Sequence, residues 1–98
     1  MRLEEFAVDA ILASVKRFTQ GVPFDVYLHG SRLDDTLKGG DIDLFIVVPQ
    51  EQVETLSKRK HYLLSAIKSE IGQQRLDVTI CSSHSSFFLN SEKIQLSS

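Results

Sequence analysis

The stretch Asp41-Ile42-Asp43-Leu44-Phe45-Ile46-Val47-Val48 limits most sharply what this chain can fold into. Its residues are β-branched, aromatic or large and apolar, so 41–48 reads as a strand. Its front half alternates polar and apolar, while its back half is apolar throughout. A strand of that kind must be covered on both faces at its far end. It therefore needs neighbouring strands and packed layers around it, and Pro49 stops it.

The flanking patterns supply those layers. Leu3, Phe6, Ala7, Ala10, Ile11, Val15 and Phe18 recur at three- and four-residue steps and mark one helix over about 3–19. Gly21 and Pro23 end it. Residues 24–29, Phe-Asp-Val-Tyr-Leu-His, read as a first strand, broken by Gly30-Ser31. Residues 32–40 form a polar loop. Val53, Leu56, Leu63, Leu64, Ile67 and Ile71 mark a second amphipathic helix over about 50–71, with Gly72 as its stop. Residues 75–81, Arg-Leu-Asp-Val-Thr-Ile-Cys, form a third strand. His84–Asn90 is expected to be a short helix that lays Phe87 and Phe88 on the sheet, and the last residues are expected to fray.

The strand at 41–48, the second helix and the strand at 75–81 make a β-α-β unit. Its two strands should be parallel, with a right-handed crossover. The expected class is α/β of the α+β type: a small mixed sheet with flanking helices. At 98 residues the chain suits a single domain over 1–98, with a core at about 3–82 and a C-terminal tail at 83–98.

Alternation along a strand points Asp41 and Asp43 the same way and sends Ile42 into the other layer. If the third strand lies parallel beside them, Asp77 starts at the same sheet end and can join the pair. Its neighbours Leu76, Val78 and Ile80 are apolar, which makes a lone carboxylate there conspicuous. Three carboxylates repel one another unless they share a hard divalent cation. Mg2+ suits such oxygen ligands, together with substrate phosphates. Gly30 lets backbone N–H groups approach a phosphate, Ser31 adds a hydroxyl, and Arg32 and Lys38 are candidate phosphate contacts. Each piece has a plainer reading. The aspartates alone could be an exposed strand start, and Gly30-Ser31 an ordinary turn. Lys38 could be a solvated loop residue and His29 a packed strand end. Lys58-Arg59-Lys60 fits a wet helix face, and Tyr27 and Tyr62 fit core or half-buried positions.

Gly30-Ser31, nine residues and then Asp41-Ile42-Asp43 resembles the signature of the DNA polymerase β-like nucleotidyltransferase superfamily. The length and the run Gly-Ser-Arg-Leu-Asp-Asp-Thr-Leu-Lys-Gly-Gly-Asp-Ile-Asp-Leu look most like its minimal nucleotidyltransferases, over nearly the whole chain. The resemblance implies a palm-like fold in which Asp41, Asp43 and Asp77 bind two Mg2+ ions, Asp77 also activates the acceptor hydroxyl, and Gly30 and Ser31 hold the triphosphate of ATP, with Arg32 the candidate beside them. It implies transfer of AMP with release of pyrophosphate. It also implies a partner, since such chains pair with a helical HEPN protein. In such toxin–antitoxin pairs the HEPN chain is a toxin ribonuclease. The small chain is the antitoxin and adenylylates a tyrosine on it. Three features depart from the commonest pattern: a spacer one residue shorter, Gly40 where serine is usual, and His29 where an aromatic is common.

Composition narrows the choices. A net charge of −2 does not suggest a direct nucleic-acid binder. No apolar run approaches the ~20 residues of a membrane span, and the acidic first residues lack the apolar segment of a signal peptide. Cys81 is the single cysteine, read as a small buried hydrophobe, so no internal disulfide can form. A cytoplasmic setting is the expectation. Two other functions compete: a non-catalytic antitoxin that acts by docking, and a nucleotidyltransferase acting on a small molecule.

Overall fold

The computed structural model describes residues 5–29, 42–72, 75–91 and 93–96. Helix α1 (Glu5–Thr19) leads into β1 (Asp25–His29). Then come β2 (Ile42–Val47), α2 (Gln50–Lys58), α3 (Lys60–Ile71), β3 (Leu76–Cys81), α4 (Ser86–Leu89) and β4 (Lys93–Leu96). The four strands form one mixed sheet in the order β3-β2-β1-β4. Strand β2 is central: it runs parallel to β3 and antiparallel to β1, as its apolar second half requires. Every residue from Leu44 to Val48 is buried.

Alternation sorts the side chains into two layers. Val26, Leu28, Ile42, Leu44, Ile46, Val78 and Ile80 face the helices and join Ile11, Val15, Leu56, Leu63 and Ile67 in the main core. Burying each such side chain fully contributes roughly 1.5–3 kcal/mol. Phe45, Val47 and Cys81 face the other way, where Phe88 of α4 covers them and Tyr27 packs alongside. The rings of Tyr27 and Phe45 meet Phe88 edge-on at 5.0 and 5.4 Å. The expectation that this short helix packs aromatics on the sheet thus holds, with Phe88 the buried one and Phe87 57% exposed.

Helix α1 ends where Gln20 and Gly21 both adopt positive φ, 53° and 95°. Glycine carries that backbone at little cost, and here no neighbour would obstruct a side chain, so φ alone selects it. Gly72 closes α3 in the same way, at φ 94°, and donates its N–H to the Lys68 carbonyl.

Three expectations are corrected. The helix expected over 50–71 is two helices, divided at Arg59 (φ −107°, ψ 10°). Leu56 and Leu63 are both buried, but every residue between them is polar or exposed, so nothing there ties the axis to the core. Helix α2 packs on β3, and α3 packs on α1 and β3. The break sets the Arg59 guanidinium 5.7 Å from the centre of the Phe18 ring. Second, the tail expected over 83–98 contains β4, which pairs antiparallel with β1 and lays Leu96 against the core. Third, Tyr62 is 61% exposed, and so is Phe6 at 63% on the outer side of α1.

Ser14 is buried in α1 at 2% exposure, and its hydroxyl has no hydrogen-bond partner among the described residues. Replacing it with alanine removes an unsatisfied polar group and favours the helix, so Ser14→Ala should raise stability by about 1 kcal/mol. Leu44→Ala empties a site in the main core and should lower stability by about 2–5 kcal/mol. Urea unfolding of both variants checks the assignment.

Candidate active site

The parallel ladder sets Asp43 of β2 directly beside Asp77 of β3. The preceding pair, Ile42 and Leu76, and the following pair, Leu44 and Val78, belong to the helix-covered side. Both aspartates therefore stand on the opposite face, on neighbouring strands about 4.8 Å apart. Asp43 is half-buried and Asp77 exposed. Strand β3 is held at this end by the Ile42 N–H, which donates to the Arg75 carbonyl at 2.9 Å. Helix α4 covers the other end of this face, over Phe45 and Cys81.

Asp43, Lys68, Arg75, Leu76 and Asp77 line a hollow of about 300 Å³. Lys68 comes from the last turn of α3, and Arg75 precedes β3. Two acidic and two basic residues thus line one hollow. Sequence reasoning missed both cations. Their signal was present: Arg75 stands two residues before Asp77 on one strand run, and Lys68 stands one helical turn before the Gly72 stop. A larger hollow, about 430 Å³, opens at the opposite end of β1 between α1 and the β4 edge, lined by Leu12, Phe24, Val26 and Leu96 among others.

Gly30, Ser31, Arg32 and Asp41 lie outside the described residues. Among the described residues, no group of three or more His, Cys, Asp and Glu side chains is set to hold a metal. What the structure brings together is Asp43 and Asp77. Two adjacent carboxylates suit a hard divalent cation, whose remaining positions go to water and phosphate oxygens. Also among the described residues, no helix is long and apolar enough to cross a membrane.

A mixed sheet backed by helices, with paired acids at the start of two parallel strands, defines a small α+β domain with a site suited to cations and phosphates. A family model described as "Nucleotidyltransferase domain" matches residues 8–96, and the chain belongs to that family. Neither a curated protein nor a solved structure gives a significant match.

Cys81 lies on the same face at the covered end, 7% exposed and without a disulfide. Burial pushes its thiol above the ordinary value of 9.0. The folded chain then keeps the proton while the unfolded chain loses it, so this contribution is complete below 9.0 and fades as pH rises beyond it. The stability difference between the native chain and Cys81→Ala should therefore shrink above that pH, as denaturant titrations on either side of it would show.

Proposed function

We propose that the protein is a divalent-metal-dependent nucleotidyltransferase that moves AMP from ATP onto a hydroxyl, and that this hydroxyl belongs to a tyrosine of a HEPN-type helical partner. The observation that carries the reading is the side-by-side placement of Asp43 and Asp77 in a chain of the nucleotidyltransferase-domain family. The resemblance of its motif to minimal nucleotidyltransferases supports the choice of partner, and with it the role of antitoxin in a toxin–antitoxin pair.

In this reading Asp41, Asp43 and Asp77 would hold two Mg2+ ions, which would supply charge neutralisation at the attacking and leaving oxygens. Gly30, Ser31 and Arg32 hold the triphosphate. The acceptor oxygen attacks the α-phosphorus. A new O–P bond forms, the bond from the α-phosphorus to the α,β-bridging oxygen breaks, and pyrophosphate leaves in line. Asp77, on the edge strand, orients the acceptor hydroxyl and takes its proton.

The test is intact-mass spectrometry of the co-purified partner after incubation with ATP and Mg2+. The partner should gain mass in whole AMP units. Asp43→Asn and the Asp41→Asn/Asp43→Asn double variant should abolish the gain, and Asp77→Asn should slow it on the order of 100-fold or more. All three should remain folded, since Asp43 is only half-buried and Asp77 is exposed, as thermal melts would show. A stable complex with no mass gain on the partner or on this chain would overturn transfer and favour an antitoxin that acts by docking. A small-molecule acceptor would instead show as pyrophosphate release without any protein mass gain.

A further inference from the structure

Strand β4 is an end strand of the sheet, with β1 on one side and no strand on the other among the described residues. A free strand edge offers its backbone N–H and C=O groups to another chain. Ile94 of β4 pairs with Leu28, a core residue, and so points to the helix-covered side. The helices nevertheless leave it 53% exposed. The other end strand differs: Val78 and Ile80 of β3 face the same side at 0% and 7% exposure, under α2 and α3. The helical layer is thus closed over one end of the sheet and open over the other.

The opening is the hollow of about 430 Å³ between α1 and β4. Asp9, Ala13 and Lys16 line it from α1 at steps of four and three residues, so one side of that helix looks toward β4. All three are exposed. Gln95 and Leu96 line it from the strand, which sets Gln95 level with the segment from Asp9 to Lys16. That stripe of α1 carries an acid at one end, a base at the other and a small residue between them.

We propose that this edge binds a second copy of the chain, β4 against β4 in antiparallel pairing, to give one continuous sheet across both copies. The two-fold axis passes through Gln95, perpendicular to the sheet. Ile94 of each copy then lies opposite Leu96 of the other on the side of the hollow, and both apolar side chains are covered. The same axis runs α1 antiparallel to its copy within one helical layer. It brings Asp9 of each copy to the level of Lys16 of the other. The charge pattern is therefore self-complementary, as a two-fold interface requires, and Ala13 leaves room at the crossing. Pairing through the β3 edge would instead set Asp77 of both copies at the seam. Strand β1 separates β4 from Asp43, so the acidic hollow stays open in the dimer, and the inference stands apart from the nucleotidyl-transfer reading.

Sedimentation velocity over a range of concentrations tests it, with the native chain, Ile94→Asp, Asp9→Lys, Lys16→Asp and the Asp9→Lys/Lys16→Asp double variant. The native chain should pass from monomer to dimer as concentration rises. Ile94→Asp should abolish the dimer. Each single charge reversal sets like charges opposite one another twice and should weaken the dimer about tenfold, and the double variant should regain the native affinity. Circular dichroism checks that each variant is folded, and the charge variants, at exposed helix positions, keep the test intact if Ile94→Asp loosens β4. A native chain that stays monomeric up to about 1 mM overturns the inference. So does a dimer that a folded Ile94→Asp leaves unchanged, or a loss in the single reversals that the double variant does not recover.

Discussion

The parallel pairing of β2 with β3 is the constraint on which the rest depends. A strand's side chains alternate faces, so one register decides both layers at once. With Ile42 opposite Leu76 and Leu44 opposite Val78, four apolar side chains enter the core. The same register leaves Asp43 and Asp77 together on the other face. A slip of one residue would bury Asp77 among Ile11, Leu63 and Ile67 and expose Val78 and Ile80. The free energy of the core therefore fixes the placement of the acids, and the site needs no separate device to keep its two carboxylates adjacent.

Much of this was legible because it follows from alternation and helical periodicity. The apolar second half of β2 announced a central strand, and the β-α-β order announced parallel pairing with β3. Both glycine stops could be read, as could the burial of Cys81. The failures share a cause: each depends on contacts distant in sequence. The seven-residue step from Leu56 to Leu63 suits an unbroken helix, and only the separate anchoring of α2 and α3 shows why the axis turns at Arg59. Strand β4 is four residues with a single core-facing anchor, Leu96, so its pattern is too short to register before β1 supplies an edge. Tyr62 sits on a polar stretch, where an aromatic ring alone is no guide to burial. In the site, Asp43 and Asp77 followed from strand parity. Lys68 could be read as the last turn of a helix, but bringing it to the acids requires knowing how α3 docks.

The second face of the sheet is divided between two tasks. At one end α4 closes it with Phe88, and Tyr27 and Phe45 pack around that ring. At the other end the acids stay open to solvent. This division suits ionised carboxylates. A buried charge costs several kcal/mol unless it is paired, whereas a half-buried Asp43 and an exposed Asp77 keep much of their hydration. The site lies where the strands start, close enough to the core to be rigid and far enough from α4 to remain wet.

Charge balance completes the account. Two carboxylates on adjacent strands would weaken a small domain, whose margin of stability is only several kcal/mol. Lys68 and Arg75 line the same hollow as the acids. Neither cation belongs to β2 or to the α4 cluster: one comes from the helix before β3 and one from the residue that opens it. The β-α-β unit therefore supplies the core strands, Asp43, Asp77 and both counter-charges. Strands β1 and β4 complete the sheet on the other side of β2, where the Lys93 ammonium lies 4.4 Å from the centre of the Phe88 ring that closes the second layer. The two acids are thus brought side by side by the same register that builds the core.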